Sequence, residues 1–479
     1  MVKNPVLLIA LPLIIGFFTA FISPFIKKGY SIIAIFTAAI TTILSSLLFS
    51  NSGTDLITYP IGGWSTKYGI YLISNIQISG LLVLVNFIAF LALIYYSIKE
   101  RDLGSELGYS LGFILSIAAV NGLILTGDLF NMFVFIELLS IGGYILATHK
   151  GGYYSAFKYV VLSSIGGLFF LIGVISIYNV TGLLSLLYIP KTESFHNLPA
   201  IFLIVLSVIW VIGLSGESEL FPLNMWVGSV YKNTSTSAVV FFASVLSVGG
   251  IYAIIKLLSL IFNNGYAAIY RYIYALGLIT LFIGEAVAFK QKDAKKMLGY
   301  SSIAQAGLII SLVALSIKSS LNIDLYSSAI FQLINNIIAK ALVLFGLGVI
   351  GYSGFNKLKG VGKERREVAL LLTIGTLSLA GMPGFAGFWS KFYIVKSLVS
   401  NGEIVFLVVF LFSALFEVYY LLRLSQIILF EPQEEEVSLE IPSIVEYVIL
   451  TMLAAVILYI GFYPNVIYNL ICKVGLIGG

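Results

Sequence analysis

The sequence is short of charge. Only 10% of its 479 residues are Asp, Glu, Lys or Arg, against roughly 25% in an ordinary soluble protein. With 59% of the residues hydrophobic, so few charges cannot cover the surface of a water-soluble chain of this length. That excludes a soluble enzyme, a nucleic-acid binder and a disordered scaffold. Metal ligands are scarce as well. The single cysteine, Cys472, excludes an intramolecular disulfide and a Cys-ligated iron–sulfur cluster held by this chain alone. The two histidines, His149 and His196, lie at the edges of apolar segments, which argues against a buried His/Cys metal cage. No Walker A pattern and no H-E-x-x-H occurs, so nothing points to ATP-driven transport or to hydrolysis. Gly346-Leu-Gly-Val-Ile-Gly351 fits G-x-G-x-x-G, but no strand precedes it and helix packing is the better reading. No cofactor site is visible.

Long apolar runs, in contrast, are abundant. A helix needs about 20 mostly apolar residues to cross a bilayer. Fourteen segments qualify, near 5–23, 30–50, 70–97, 107–126, 129–147, 154–178, 199–231, 236–262, 267–289, 298–317, 325–352, 367–399, 403–429 and 442–471. The expected fold is therefore all-α and polytopic. The first segment follows Met-Val-Lys-Asn-Pro without an obvious cleavage site, so it reads as a spanning helix rather than a removed signal. Segments 199–231 and 367–399 are too long for one straight span and are interrupted, one by Gly213, Gly216 and Pro222, the other by Gly381, Pro383, Gly384 and Gly387. Broken helices are costly in lipid unless the freed backbone faces protein or water. Two of them in corresponding places point to a transport site between inverted repeats. A pair of ordinary proline kinks is the plainer alternative.

Basic residues give an orientation. With the N-terminus outside, 17 of the 27 Lys and Arg fall in inner loops and six in outer ones, while Lys256, Lys340, Lys391 and Lys396 lie within segments. This bias predicts both termini outside a cytoplasmic membrane. The acidic run from Glu431 to Glu440 falls on the inner side. It reads as a solvated loop or a contact for a basic partner subunit.

A charge at the bilayer centre costs about 2.5–3.5 kcal/mol on the mildest scale. Glu137, Glu217, Glu219, Lys256, Glu285, Lys340, Lys391 and Glu417 all fall within apolar segments. Spread over so many segments, they read as a relay. Desolvation disfavours the charged form of a carboxylate and of an amine alike, so buried groups approach reversible protonation. Each charge also biases its neighbour. The competing reading, of edge residues or neutral hydrogen-bonded acids, suits Glu285 and Glu417 best.

Four stretches resemble one family, the antiporter-like membrane subunit shared by respiratory complex I, membrane-bound hydrogenases and multisubunit Mrp-type Na+/H+ antiporters, whose D-type member is the nearest in pattern. Gly127-Asp-Leu-Phe-Asn-Met-Phe-Val-Phe-Ile-Glu137-Leu is similar to its fifth-helix glutamate motif. Gln291-Lys-Asp293-Ala-Lys295-Lys-Met-Leu-Gly-Tyr300-Ser-Ser resembles the signature before its tenth helix. Ile337-Ile-Ala-Lys340 resembles the eleventh-helix lysine motif, and Ala380-Gly-Met-Pro383-Gly-Phe-Ala-Gly-Phe-Trp389-Ser-Lys391 the broken twelfth helix.

The resemblance implies fourteen helices, with two inverted five-helix repeats and two broken helices. It divides the chain into helices 1–3 (residues 1–106), a first repeat (107–262), a second repeat (263–430) and an acidic loop with helix 14 (431–479). The sequence ends soon after that helix, so a member without a long lateral helix is expected. Carried over residue by residue, the ion pathway comprises Glu137, Glu217, Lys256, Lys340 and Lys391, with Glu219, Glu285, Asp293, Lys295 and Glu417 as accessories. Implied partners are other membrane subunits, a peripheral redox arm where the complex is redox-driven, the lipid bilayer, and H+ or Na+. No cofactor and no redox chemistry are expected of this chain by itself.

One departure matters. The family's seventh-helix lysine, five residues before a proline, reads Glu217 here, while the following His reads Asn224 and a later Pro reads Gly228. Glu137 then has acidic neighbours, and two close carboxylates share a proton or bind a cation. The first half is thus either a modified Na+/H+ site, with Na+ near Glu137 and Glu217, or an inactive half-channel. The function implied is ion translocation within a larger complex. The alternatives are a largely structural paralogue and a stand-alone secondary transporter. Hydrogenase, sulfur- or quinone-linked reductase and Mrp antiporter all stay open as the owner of the subunit.

Overall fold

The computed structural model describes residues 4–25, 28–102, 104–262, 267–318, 321–433 and 439–473. Lys3 and Lys27 of the orientation count, and Glu434 to Glu436 of the acidic run, lie outside the described residues. The longer helices are α1 (Leu7–Ile22), α2 (Tyr30–Asn51), α3 (Ile76–Tyr95, extended by a π-turn to Glu100), α4 (Glu106–Leu125), α5 (Leu129–Thr148) and α6 (Tyr153–Thr181). They continue as α7 (Ala200–Ser215), α8 (Val227–Asn233), α9 (Thr236–Ile261), α10 (Ala267–Phe289), α11 (Ala294–Lys318) and α12 (Ile323–Ile350). The last are α13 (Arg366–Ala380), α14 (Ala386–Ser400), α15 (Ile404–Leu429), α16 (Ile444–Phe462) and α17 (Pro464–Lys473).

Among the described residues, eleven helices are long and apolar enough to cross a membrane, and α1 and α7 are shorter apolar helices. The outward faces carry large apolar side chains: Phe17, Phe18 and Phe21 on α1, Leu168 and Ile172 on α6, and Val408 and Leu415 on α15. In water such surfaces would aggregate, so lipid is their natural solvent. The chain is a multi-pass integral membrane protein. Helices α9, α11 and α12 form its centre and are buried along almost their whole length.

The sequence pattern and the structure differ in two places. The run read as a helix from residue 70 begins instead with a strand, β2 (Tyr71–Ser74), paired antiparallel to β1 (Ile57–Pro60) with Ile57 opposite Ser74. Asn75 sets the boundary, because its side chain caps α3 by accepting from Ile78 N at 2.9 Å. An apolar run alone does not distinguish strand from helix. The second difference is at the end of the chain. Segment 442–471 is two helices, since Pro464 lacks an N–H and cannot continue α16. The two long segments are broken as their Gly and Pro residues predict: α7 and α8 flank residues 216–226, and α13 and α14 flank 381–385. Gly381, at φ 81°, closes α13 in the left-handed conformation that favours glycine.

The first break is held tightly. Trp226 Nε1 donates to Gly216 O at 3.0 Å, and Phe221 N donates to Thr280 Oγ1 of α10 at 3.2 Å. Opposite it, α9 presents Gly250, where a Cβ would stand 2.8 Å from the backbone of Glu217 and Ser218. Only glycine lets α9 approach the unwound backbone this closely. Just before that point α9 carries a π-turn, Phe242–Leu246, whose Ser244 Oγ donates to Ile337 O of α12 at 3.0 Å.

Candidate functional site

The second break is bridged by its own lysine. Lys391, on α14, donates from Nζ to Ala380 O, the last carbonyl of α13, at 3.0 Å. An ammonium there satisfies an orphan carbonyl at the negative end of the helix dipole. The same Nζ pairs with Glu417 Oε2 of α15 at 2.7 Å. Glu417 is 2% exposed, so the reading of it as an edge residue gives way to a buried ion pair. Its second oxygen accepts from Gln305 Nε2 of α11 at 2.8 Å, and Gln305 Oε1 accepts from Gln332 Nε2 of α12 at 2.5 Å. Glu285 of α10 joins this group: it accepts from Ser413 Oγ at 3.3 Å, and its strongest charged neighbours are Glu417 and Lys391.

From Gln332 a polar stripe runs along α12. Gln332, Asn336 and Lys340 stand at i, i+4 and i+8, on one helix face. Lys340 is fully buried, and its Nζ has no hydrogen-bond partner among the described residues. The charges bearing on it are Glu219 first, then Glu417 and Glu285. It therefore stands between the two breaks.

The first break separates two carboxylates that are only two residues apart. Glu219 adopts φ 61° and lies on the Lys340 side, where Oε1 accepts from Tyr231 OH of α8 at 2.8 Å. Glu217 points the other way. Its Oε1 accepts from Ser140 Oγ of α5 at 2.7 Å and its Oε2 from Tyr159 OH of α6 at 2.8 Å. Glu137 lies near enough for its charge to act on Glu217. It is half-buried, with its carboxylate packed against Gly167 of α6. The expected acidic neighbourhood is thus present, with hydroxyl donors from Ser140 and Tyr159 on Glu217. Among the described residues no group of three or more His, Cys, Asp and Glu gathers to hold a metal ion.

Three of the expected residues stand elsewhere. Lys256 meets no carboxylate among the described residues. Its Nζ donates to Leu123 O at 2.7 Å, Ile124 O at 3.2 Å and Thr126 O at 2.5 Å, all at the C-terminal end of α4. Twenty residues along α9, it is about 30 Å from that helix's start, at the far end from the π-turn. There it clamps a helix terminus. The expected result for Lys256→Met is loss of stability by about 1–3 kcal/mol with proton transport retained, measured by thermal unfolding and by transport on the same preparation. Asp293 is a helix cap: it accepts from Lys296 N at 2.9 Å and from Ser353 Oγ at 2.7 Å. Lys295 Nζ donates to Thr236 Oγ1 at 3.1 Å and lines a 420 Å³ polar vestibule with Lys99, Lys150 and Glu100.

Sequence reading missed Glu100, which is buried and accepts from the N–H groups of Thr236 and Ser237 at 2.7 and 3.0 Å. It also missed the amides Gln332 and Asn336. Their i, i+4 spacing ahead of Lys340 in an apolar helix was the available signal.

The sequence profile of the family described as NADH:quinone oxidoreductase/Mrp antiporter, transmembrane, matches residues 126–417. The chain is 28% identical over 434 residues to the D-type subunit of the Na(+)/H(+) antiporter of Alkalihalophilus pseudofirmus, covering 87% of this chain and 86% of that one. Among solved structures it superposes on a chain of the membrane-bound sulfane sulfur reductase, an archaeal respiratory membrane complex, with a TM-score of 0.88 and 29% identity over 98% of this chain and 96% of that one. A chain of the Mrp complex from Dietzia sp. DQ12-45-1b shares the fold with a TM-score of 0.84 at 19% identity, covering 98% and 96%.

Proposed function

We propose that this chain, which belongs to the NADH:quinone oxidoreductase/Mrp antiporter transmembrane family, is an ion-translocating subunit of a multisubunit membrane complex. It moves protons, alone or in exchange for Na+, along a line of buried groups. The line runs from the Lys391–Glu417 pair through Gln305, Gln332, Asn336 and Lys340 to Glu219, and from the other side of the first break through Glu217 to Glu137. The observation that carries the reading is Lys340. A buried ammonium with no hydrogen-bond partner among the described residues, set between carboxylates of the two breaks, is an expensive arrangement that packing alone does not require.

The mechanism follows from charge coupling. When Lys391 and Glu417 are both ionised they neutralise each other, and Lys340 senses mainly Glu219. A proton arriving at Glu417 frees the Lys391 charge, which repels positive charge on Lys340 and favours proton release toward Glu219. Each step alters the field at the next site without a large backbone movement. Gln305 and Gln332 carry hydrogen bonds from Glu417 to α12, and from there Lys340 is coupled through the electric field rather than by a hydrogen bond. The segments containing the two breaks, 107–262 and 263–430, are the two transporting units in this reading.

The complex sits in the cytoplasmic membrane with both termini outside, as the bias of basic loop residues supports. Its other membrane subunits flank the apolar faces of this chain. A redox arm on a partner subunit supplies the driving energy. Likeness to the sulfane sulfur reductase chain over 98% of the length favours that source.

The test is Glu217→Lys in the complex reconstituted into liposomes. An ammonium at this position pairs with Glu137 and excludes a second cation. The expected result is retained proton movement with loss of any dependence on Na+, read from a pH-sensitive dye under Na+ and under a large organic cation. Unchanged ion dependence and unchanged rate would remove Glu217 from the pathway.

A further inference from the structure

We infer that an apolar chamber between α3, α12 and α16 binds one chain of a neutral, hydroxyl-bearing membrane lipid, whose head lies at a mouth formed by Thr54, Asn465 and Asn469. The inference goes beyond ion translocation and does not depend on it. The chamber lies at the end of the bundle where α2 stops and α3 and α12 begin, and its volume is about 370 Å³. Protein interiors leave few voids larger than a water molecule, and ligand pockets start at about 300 Å³. An apolar cavity of about 150 Å³ already stays dry and takes benzene. The walls here are Leu81 and Leu84 of α3, Ile330, Ile334 and Ile338 of α12, and Ile460 of α16. Such a lining suits hydrocarbon.

Two polar atoms in the wall refine the chemistry. Gln77 and Tyr252 both line the chamber and are 5% and 0% exposed. Among the described residues neither Gln77 Oε1 nor Tyr252 OH has a hydrogen-bond partner. Gln77 Nε2 donates to Tyr326 OH at 3.0 Å, which orients the amide and leaves its oxygen over. Unpaired buried oxygens are costly unless a ligand serves them. A ligand hydroxyl, which donates and accepts, satisfies an acceptor and a phenol together. A plain hydrocarbon satisfies neither.

The chamber has a polar mouth. A second cavity, of about 420 Å³, shares Val466 and Leu470 of α17 with the first. Thr54, Ile76, Asn465 and Asn469 complete it, and no charged residue is among the described lining. On α17, Val466 and Leu470 stand one turn apart beside Asn465 and Asn469. The helix thus carries an apolar stripe along the chamber and an amide stripe along the mouth. An amphiphile with an uncharged head matches this order, whereas a phosphate head would meet no cation to pair with. Ile330, Ile334 and Ile338 each precede Gln332, Asn336 and Lys340 by two residues, about 200° around the helix. A chain in the chamber therefore packs on the back of the stripe that carries Lys340.

Photolabelling of the purified complex tests the site. The probes are a monoacylglycerol with a diazirine in its chain and a lysophosphatidic acid with the same chain. Mass spectrometry locates the labelled peptides, with the apolar face of α1 as the reference. The expected result is saturable labelling of residues 330–338 by the monoacylglycerol. Ile334→Trp fills the chamber and lowers that labelling about tenfold or more, equivalent to roughly 1.4 kcal/mol of lost binding, with α1 labelled as in the wild type. Tyr252→Phe removes one hydrogen-bonding group and lowers it about fivefold. If thermal unfolding shows that Ile334→Trp has lost its fold, Leu84→Phe takes its place, with the same fall expected. Chamber labelling that does not saturate, or that no folded variant reduces, overturns the site. So does an unlabelled chamber beside a labelled α1, which would mean that a partner subunit covers it. Equal labelling by the lysophosphatidic acid overturns the neutral head.

Discussion

Lys391→Ala is expected to abolish coupled proton transport, lowering the rate about 10²-fold or more in liposomes carrying the purified complex, since it removes a proton-transfer partner outright. The side chain does three things at once. It bridges the second helix break through Ala380 O, neutralises Glu417 at 2.7 Å, and thereby sets the field that Lys340 experiences. Its loss leaves Glu417 as an unpaired carboxylate in a site 2% exposed to solvent. Removing one partner of a buried pair costs about 3–5 kcal/mol, so a stability control is essential. Lys391→Ala combined with Glu417→Gln removes both charges and is expected to recover most of the thermal stability while staying inactive. An active double variant would show that the pair serves packing only.

Lys340→Met is expected to stop transport to a similar extent, yet with the opposite effect on stability. Methionine matches the length of the lysine stem and brings no charge into the centre of α12. Replacing a buried, unsatisfied ammonium by an apolar chain of similar volume is often neutral or stabilising, by about 1–4 kcal/mol. The variant therefore unfolds at the same or a higher temperature than the wild type while its proton flux collapses. Flux near the wild-type level would break the proposed line between Glu219 and Glu417. Reading stability and flux on one preparation separates a relay residue from a structural one. The contrast with Lys256 sharpens it, because Lys256 has three carbonyl partners and, among the described residues, no carboxylate.

Much of the fold was legible in the sequence because lipid imposes a simple rule. A membrane segment must be long, apolar and internally hydrogen-bonded, so composition and length reveal helices directly. Glycine and proline gave the two breaks for a related reason: both weaken the helix wherever they fall. The hairpin Ile57–Ser74 escaped notice because four apolar residues fit either a strand or a helix start.

The candidate site was legible only in its ionisable members. Buried charge is so costly that Glu217, Glu219, Lys340 and Lys391 stand out in any apolar run. Their connections did not, because Gln305, Gln332 and Asn336 cost less to bury and carry a weaker signal. Sequence also gave Glu417 the wrong surroundings, since apolar neighbours along α15 are silent about Lys391 on a different helix.

The sequence by itself determined that this is a multi-pass membrane protein, that two of its segments are broken, and that two carboxylates, Glu217 and Glu219, stand inside the first break. These are local properties, fixed by side-chain transfer energies and backbone preferences within a few turns. Only the tertiary structure decided which charge meets which. It turned Glu217 and Glu219 to opposite sides of one break, joined Lys391 to Glu417, and sent Lys256 to the end of α4 instead of into the line. Such pairings depend on which helix faces are pressed together, and electrostatic interaction falls off with a distance that chain order does not encode.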